Sequence, residues 1–242
     1  MGTIWVKANF HCHSDNSADG EVPVDELCRW YADRGYGLLA VTDHNIITPL
    51  QSSPDSPLAL VPRSVELGGT RENVLAIGVR DMPPRECPAQ EIIDGIRDAG
   101  GLAILAHPNW CWNHWSAHDL VRLDGYVGIE IVNTHMRECD GHERALHVYD
   151  EALLRGKRLW AFGNDDAHNL RDQRIGGQVW NMILAGSRRV DDVLSAVAAG
   201  EFYVSSGTRL RRVTRGSGFL QVTVEDEARI TFVVNGERVA SH

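Results

Sequence analysis

Short apolar runs alternate with segments of helical period through the first 200 residues. This alternation restricts the fold more than any other feature of the chain. Ile4–Phe10, Leu38–Thr42, Leu60–Leu67, Val74–Val79, Leu102–Ala106, Gly128–Val132, Arg158–Phe162 and Val179–Leu184 read as strands. Between them, Val24–Arg34, Ala89–Ala99, Glu143–Leu154 and Val190–Ala199 carry helical spacing and stop at or near a glycine. Repeated βα units predict a parallel sheet with helices outside, because parallel neighbours need crossover connections. About seven such units suit a barrel better than an open sheet. The tail is different. Phe219–Val224 and Ile230–Val234 look like short strands, with Asn235-Gly236 as a turn signal. Four arginines between Arg209 and Arg215 read as a solvated linker or strand face. The expected division is 1–207 for the main α/β domain and 208–242 for a small C-terminal β extension.

A chain of 242 residues can bury a large core without disulfide or metal staples. No apolar run approaches the roughly 18 residues of a membrane span, and Met1–Lys7 lacks a signal-peptide stretch, so a cytoplasmic location is expected. The formal net charge of −9 argues against an extended nucleic-acid surface, though not against a local phosphate pocket. The five cysteines form no CxxC pair, so neither a disulfide framework nor a zinc ribbon is indicated.

The chemistry gathers at strand ends. His11-Cys12-His13 follows the first strand, and a period of two sends both imidazoles to one face and Cys12 to the other. Asp19 lies six residues on. Later strands run into Asp43-His44, Glu66, His107-Pro108 and Asp166-Ala167-His168. In a parallel barrel these ends converge on one mouth. His11, His13, His44, Glu66, His107, Asp166 and His168 are then aimed at a common point. Imidazole and carboxylate without thiolate suits zinc, manganese or iron. His114, His118, His142 and His147 read as ordinary surface or core residues.

Asn9–Ser14, Ser17–Gly20, Ala40–Asn45, Val65-Glu66, Ala106–Pro108 and Asn164–His168 resemble, in order, the motifs of the polymerase and histidinol phosphatase (PHP) superfamily. The resemblance spans about residues 3–206 and is greatest to stand-alone metallohydrolases grouped with carbaryl hydrolase and nucleotide phosphoesterases; Glu201–Gly207 is similar to their closing motif. It implies a distorted (β/α)7 barrel of the PHP type with two or three divalent ions. His11, His13, Glu66 and Asp166 would hold one ion; Asp19, His44 and His168 another. His107 would ligate a further ion with Glu66, or act as an acid if that ion is absent. Some three-metal relatives carry a histidine on the strand before the HP motif. Leu75–Val79 has none, so two ions is the expected count. Asp43 is expected to orient a ligand, and Ser14 and Ser17 to hydrogen-bond within their loop. Paired cations would acidify a water, and the resulting hydroxide would attack phosphorus.

For the substrate, Arg171, Arg174 and Arg137 are candidate phosphate partners. Trp110, Trp112 and Trp115 form either loop packing or an apolar wall for a ring. Glu130 and His135 are expected behind the ligands rather than among them. The leading expectation is an enzyme hydrolysing a small phosphomonoester or a nucleotide-type phosphodiester. The competing readings are a carbamate, ester or amide hydrolase on the same ions, and a non-catalytic PHP-fold binding module. The oligomeric state is open.

Overall fold

The computed structural model describes every residue except Met1, 52–54, 69–71, Asn113, Gly236 and His242. The elements run β1 (Ile4–Asn9), α1 (Val24–Asp33), β2 (Leu38–Leu39), β3 (Ala59–Leu60), β4 (Val65–Leu67), β5 (Val74–Ile77), α2 (Ala89–Asp98) and β6 (Leu102–Leu105). They continue α3 (Ala117–Arg122), β7 (Gly128–Asn133), a 3-10 turn (Thr134–Arg137), α4 (Leu146–Leu154), β8 (Trp160–Asn164), β9 (Trp180–Ala185), α5 (Val190–Ala199) and β10 (Phe202–Ser205). Two hairpins close the chain, β11 (Leu210–Gly216) with β12 (Phe219–Val224), and β13 (Thr231–Val234) with β14 (Glu237–Ser241). The expected Asn235-Gly236 turn lies partly outside the described residues.

Two five-stranded sheets carry the mixed α/β fold, one ordered β10-β9-β1-β2-β3 and the other β4-β5-β6-β7-β8. Their inner faces share one apolar cluster. Val6, Ala8 and Ile183 from the first sheet pack with Leu75, Ile104 and Phe162 from the second. The outer face of the second sheet is covered by α2 through Ile92, Ile93 and Ile96. On the first sheet, Leu27 and Tyr31 of α1 cover Leu39 and Leu60. All of β5 is buried, as a strand covered on both faces must be.

The purely parallel sheet expected from the βα alternation is not what forms. The β1–β2, β2–β3, β6–β7 and β7–β8 ladders are parallel, but β4–β5, β5–β6, β1–β9 and β9–β10 are antiparallel. The link at 68–73 is far shorter than the dozen or so residues a crossover needs, so β5 must turn back on β4. The run read as one strand, Leu60–Leu67, divides between the two sheets. Pro62 offers no N–H, and Arg63 takes a left-handed φ of 54°. The ladders do not close into a barrel. At the end of the sheets that carries the HxH motif, two isolated parallel bridges join them, Cys12 to Ala167 and His44 to Glu66. Among the described residues no helix is long and apolar enough to cross a membrane.

Candidate metal centre

Those two bridges assemble the site. The His11–His13 segment runs beside Asp166–His168: the Asp166 N–H donates to the His11 carbonyl at 2.9 Å and the His13 N–H to the Ala167 carbonyl at 2.9 Å. Side chains flanking a bridged pair share a face, so His11, His13, Asp166 and His168 point together. Cys12 points the other way, into the α1 cluster, and its thiol donates to the Ala40 carbonyl at 3.4 Å. The second bridge sets His44 beside Glu66, with the Asn45 N–H donating to the Glu66 carbonyl at 2.9 Å. Asp166 and Asn45 hold left-handed φ angles of 53° and 56°, and His107 a φ of 27°. Such strain in non-glycine residues collects at functional sites.

The Nε2 atoms of His11 and His13 each lie 3.1 Å from Asp166 Oδ1 and 3.2 Å from Glu66 Oε2. All four side chains are buried, and none of these four atoms has a hydrogen-bond partner among the described residues. Close approach without hydrogen-bond alignment is how ligand atoms around a shared cation are disposed. Buried polar atoms left unpaired cost on the order of 1–3 kcal/mol each, which gives the cluster a reason to take up a cation. The donor set, nitrogen and carboxylate oxygen, fits a divalent ion of the zinc, manganese or iron type. His107 Nε2 is 3.0 Å from Glu66 Oε1. On the open side, His44 Nδ1 is 3.0 Å from Glu66 Oε2, and Asp19 Oδ2 lies 3.3 Å from His44 Nε2 and 3.5 Å from His168 Nε2. Three sets have ligand atoms mutually within 4.8 Å: His11, His13 and Asp166; His11, Glu66 and His107; and His13, Asp19, His44 and His168.

The charges hold one another. Burial opposes ionisation of Glu66, yet His11 and His44 keep its carboxyl well below the usual carboxylate range. Burial likewise opposes ionisation of Asp166, which His11 and the His13 contact hold down. Burial disfavours an imidazolium at His44, but Glu66 and Asp19 raise it to about 11. The His168 and His44 contacts hold the Asp19 carboxyl far below its ordinary range.

A layer of polar residues fixes the ligands. Glu130 on β7 lies 2.8 Å from His11 Nδ1 and accepts from the His107 N–H at 2.8 Å, from Asn133 Nδ2 at 2.8 Å and from Asn164 Nδ2 at 2.9 Å. Facing that carboxylate, His11 Nδ1 carries the proton, which leaves Nε2 free to ligate. Asn133 also donates to Asp166 at 3.1 Å, and Asn73 to Glu66 at 2.8 Å. Asp43 accepts from the Ser14 N–H and hydroxyl, both at 2.6 Å, and from Thr48, and so pins the loop that leads to Asp19. Ser17 Oγ lies 3.1 Å from His13 Nδ1 and accepts from the His44 N–H at 2.9 Å. His135 is half-buried, its ring stacked on His168 with centroids 4.3 Å apart; that burial lowers its pKa. The roles of Asn73 and Asn133 were not legible beforehand, because an asparagine carries no signal until its neighbours in space are known.

The substrate candidates diverge. Arg171 is exposed and ion-paired with Glu21, and Arg174 is exposed and paired with Asp172 and Glu138. Arg137 is paired with Glu143. Their nearest charges are therefore carboxylates outside the cluster. Of the three tryptophans, Trp110 packs edge-on against the His107 ring, centroids 5.1 Å apart; Trp115 is core and Trp112 is exposed. A three-indole wall does not form.

No protein-family model matches the chain, and no curated protein matches it in sequence. Solved structures do match in fold. A two-domain protein from Bacteroides vulgatus ATCC 8482, containing a predicted PHP-like metal-dependent phosphoesterase, is similar at 17% identity and a TM-score of 0.60, over 95% of this chain and 78% of that one. The lesion-specific endonuclease PfuEndoQ from Pyrococcus furiosus matches at 14% identity and a TM-score of 0.59, over 83% of this chain and 58% of that one. An amidohydrolase from Chromobacterium violaceum matches at 15% identity and a TM-score of 0.50, over 70% of this chain and 89% of that one. The fold of this chain is thus similar to that of these structures.

Proposed function

We propose that the chain is a metal-dependent hydrolase of the PHP superfamily, related to the carbaryl hydrolase and nucleotide phosphoesterase subgroup, that cleaves a small phosphomonoester or a nucleotide-type phosphodiester. The observation that carries the reading is the set of four buried, unpartnered atoms, His11 Nε2, His13 Nε2, Glu66 Oε2 and Asp166 Oδ1, facing one another at 3.1–3.2 Å. In this reading these residues hold one ion, and Asp19, His44 and His168 hold a second. His107 joins through Glu66. When bound, such ions acidify water and neutralise charge on a phosphoryl group. The protein's own part is positioning. Glu130 fixes the His11 tautomer, Asn73 and Asn133 orient the two central carboxylates, and Asp43 and Ser17 set the loop that carries Asp19. Half-exposed Asp19 and partly exposed His44 mark the side on which substrate enters, while His11 and His13 stay dry. The sheets and their two bridges constitute, in this reading, an open and distorted form of the (β/α)7 barrel.

A carbonyl hydrolase on the same ions is the second reading, favoured by the likeness to an amidohydrolase. Protein purified without chelator should hold about two divalent ions per chain, and should release p-nitrophenol from p-nitrophenyl phosphate or its bis ester. Preferential turnover of aryl carbamates would move the assignment to the second reading. Less than one ion per chain would remove both.

A further inference from the structure

Outside the metal cluster, the outer face of the first sheet carries a cavity of about 450 Å³, roofed by the start of the C-terminal extension. Its walls include Trp5, Trp180 and Tyr203, together with Lys7, Arg34 and Arg209. Strand parity explains the grouping. Lys7 pairs with Met182 and Tyr203 with Met182, so alternate residues of β1, β9 and β10 face outward together. Tyr203 anchors the roof, its hydroxyl accepting from the Leu210 N–H at 3.0 Å. A second cavity of about 420 Å³, reaching the 170–178 loop, shares Lys7, Arg34 and Trp180 as its wall.

The charges in this groove are unbalanced. Among the described residues, none of Lys7, Arg34 and Arg209 forms an ion pair, while Arg137, Arg155, Arg171 and Arg174 all do. Glu225 is the single carboxylate in the lining. A chain of net charge −9 thus keeps three unpaired cations around one cavity. Two of the cations, Lys7 and Arg34, are also held by rings. Lys7 Nζ lies 4.0 Å from the centre of the Tyr36 ring and 4.1 Å from that of Trp180, and the Arg34 guanidinium lies 3.7 Å over Trp30. Burial lowers the Lys7 pKa to about 8; Asp165 opposes that shift, and Arg209 and Arg34 add to it. An anion in the groove would relieve that repulsion.

We propose that this groove is a second ligand site, distinct from the metal cluster, that takes an organic anion built on a flat ring, of about the size of a mononucleotide. Lys7, Arg34 and Arg209 would meet the anionic group, with Arg209 on the roof, and Trp5 and Trp180 would offer faces to the ring. The volume falls within the range of small-ligand pockets, roughly 300–1,000 Å³. None of the lining residues is a candidate metal ligand, so the site stands or falls separately from the hydrolase reading.

The test is calorimetric titration with the non-cleavable 5′-methylene phosphonate of adenosine. It is run on the metal-loaded protein, on Asp166→Asn to weaken the metal cluster, and on Arg209→Glu and Arg209→Ala. Arg209 is exposed, so both of its variants should fold. The expected result is saturable binding that survives Asp166→Asn, weakens by about tenfold or more in both Arg209 variants, and needs ring and anion together. Hydrolysis of p-nitrophenyl phosphate should be unchanged in Arg209→Ala. Binding that vanishes with Asp166→Asn and ignores Arg209 would overturn the proposal, as would inorganic phosphate or adenosine alone binding as tightly. If Asp166→Asn is unstable, shifts of the Trp5 and Trp180 indole N–H signals on titration decide. Unmoved signals refute the site.

Discussion

Glu66 is the residue on which the candidate centre turns. One oxygen faces His11, His13 and His44, and the other faces His107 and Asn73. Removing its charge while keeping its shape tests the cluster without opening a cavity. Glu66→Gln should lower metal content and cut hydrolysis by at least about 100-fold, since even residues behind the ligands are worth roughly 10–100-fold. Elemental analysis and turnover on one preparation check this; full metal loading would refute the ligand role. Asp165, next to a proposed ligand, behaves differently. It is wholly buried, its Oδ1 has no partner among the described residues, and its Oδ2 accepts from the Tyr31 hydroxyl at 3.1 Å and the Gly177 N–H at 3.0 Å. Burial pushes its pKa up to about 6 from an ordinary 3.8. A raised carboxyl stabilises the fold fully below 3.8, and that contribution is lost as pH climbs through 6. At neutral pH the loss is on the order of 2–3 kcal/mol. Asp165→Asn should therefore raise the urea midpoint of metal-free protein at pH 7.5, and the gain should shrink toward pH 4. A gain independent of pH would show that ionisation of Asp165 is not the cause.

At the scale of elements, β7 and β8 position the centre from behind. β7 contributes Glu130 and Asn133, and β8 ends at Asn164, two residues before Asp166. The two strands approach so closely at Gly128 that a Cβ there would lie 2.1 Å from the Trp160 carbonyl oxygen. Gly128→Ala must push the strands apart. It should cost about 2–4 kcal/mol of stability and weaken metal affinity without touching a ligand. Denaturation and a competitive zinc titration measure the two effects; an unchanged midpoint would mean that the ladder yields at no cost. This dependence marks the limit of what the sequence could reveal. His11, His13, Glu66, Asp166 and His168 were legible because strand parity and strand-end position are local properties. The turn-back of β5 was not, since an apolar run of the same composition serves a parallel or an antiparallel ladder. The split of Leu60–Leu67 was foreshadowed by Pro62 alone. That Arg171 pairs with Glu21 and Arg174 with Asp172 was not legible, because a guanidinium beside a motif looks the same whatever anion meets it.

For the whole molecule, the question is whether the C-terminal extension belongs to the folding unit. Its two hairpins ladder only within themselves among the described residues. They leave Val213, Phe219, Leu220, Val233, Val234 and Val239 more than half exposed. A lone hairpin of this kind is marginally stable at best. Among the described residues, none beyond Phe202 belongs to any of the three apolar clusters. Polar, local contacts join the extension to the main domain: Ser205 donates to the Thr208 carbonyl at 2.7 Å, the Leu210 N–H donates to the Tyr203 hydroxyl at 3.0 Å, and Arg209 and Glu225 help to enclose the groove. We therefore propose 1–207 as an autonomous domain that carries the candidate metal centre and 208–242 as an appended roof. A chain ending at Gly207 should fold cooperatively, keep its full complement of ions, and melt no more than about 5 °C below the intact protein. Calorimetry with metal analysis decides this. Loss of cooperative melting, or of the ions, would show that the roof is part of the core unit and that the boundary is misplaced.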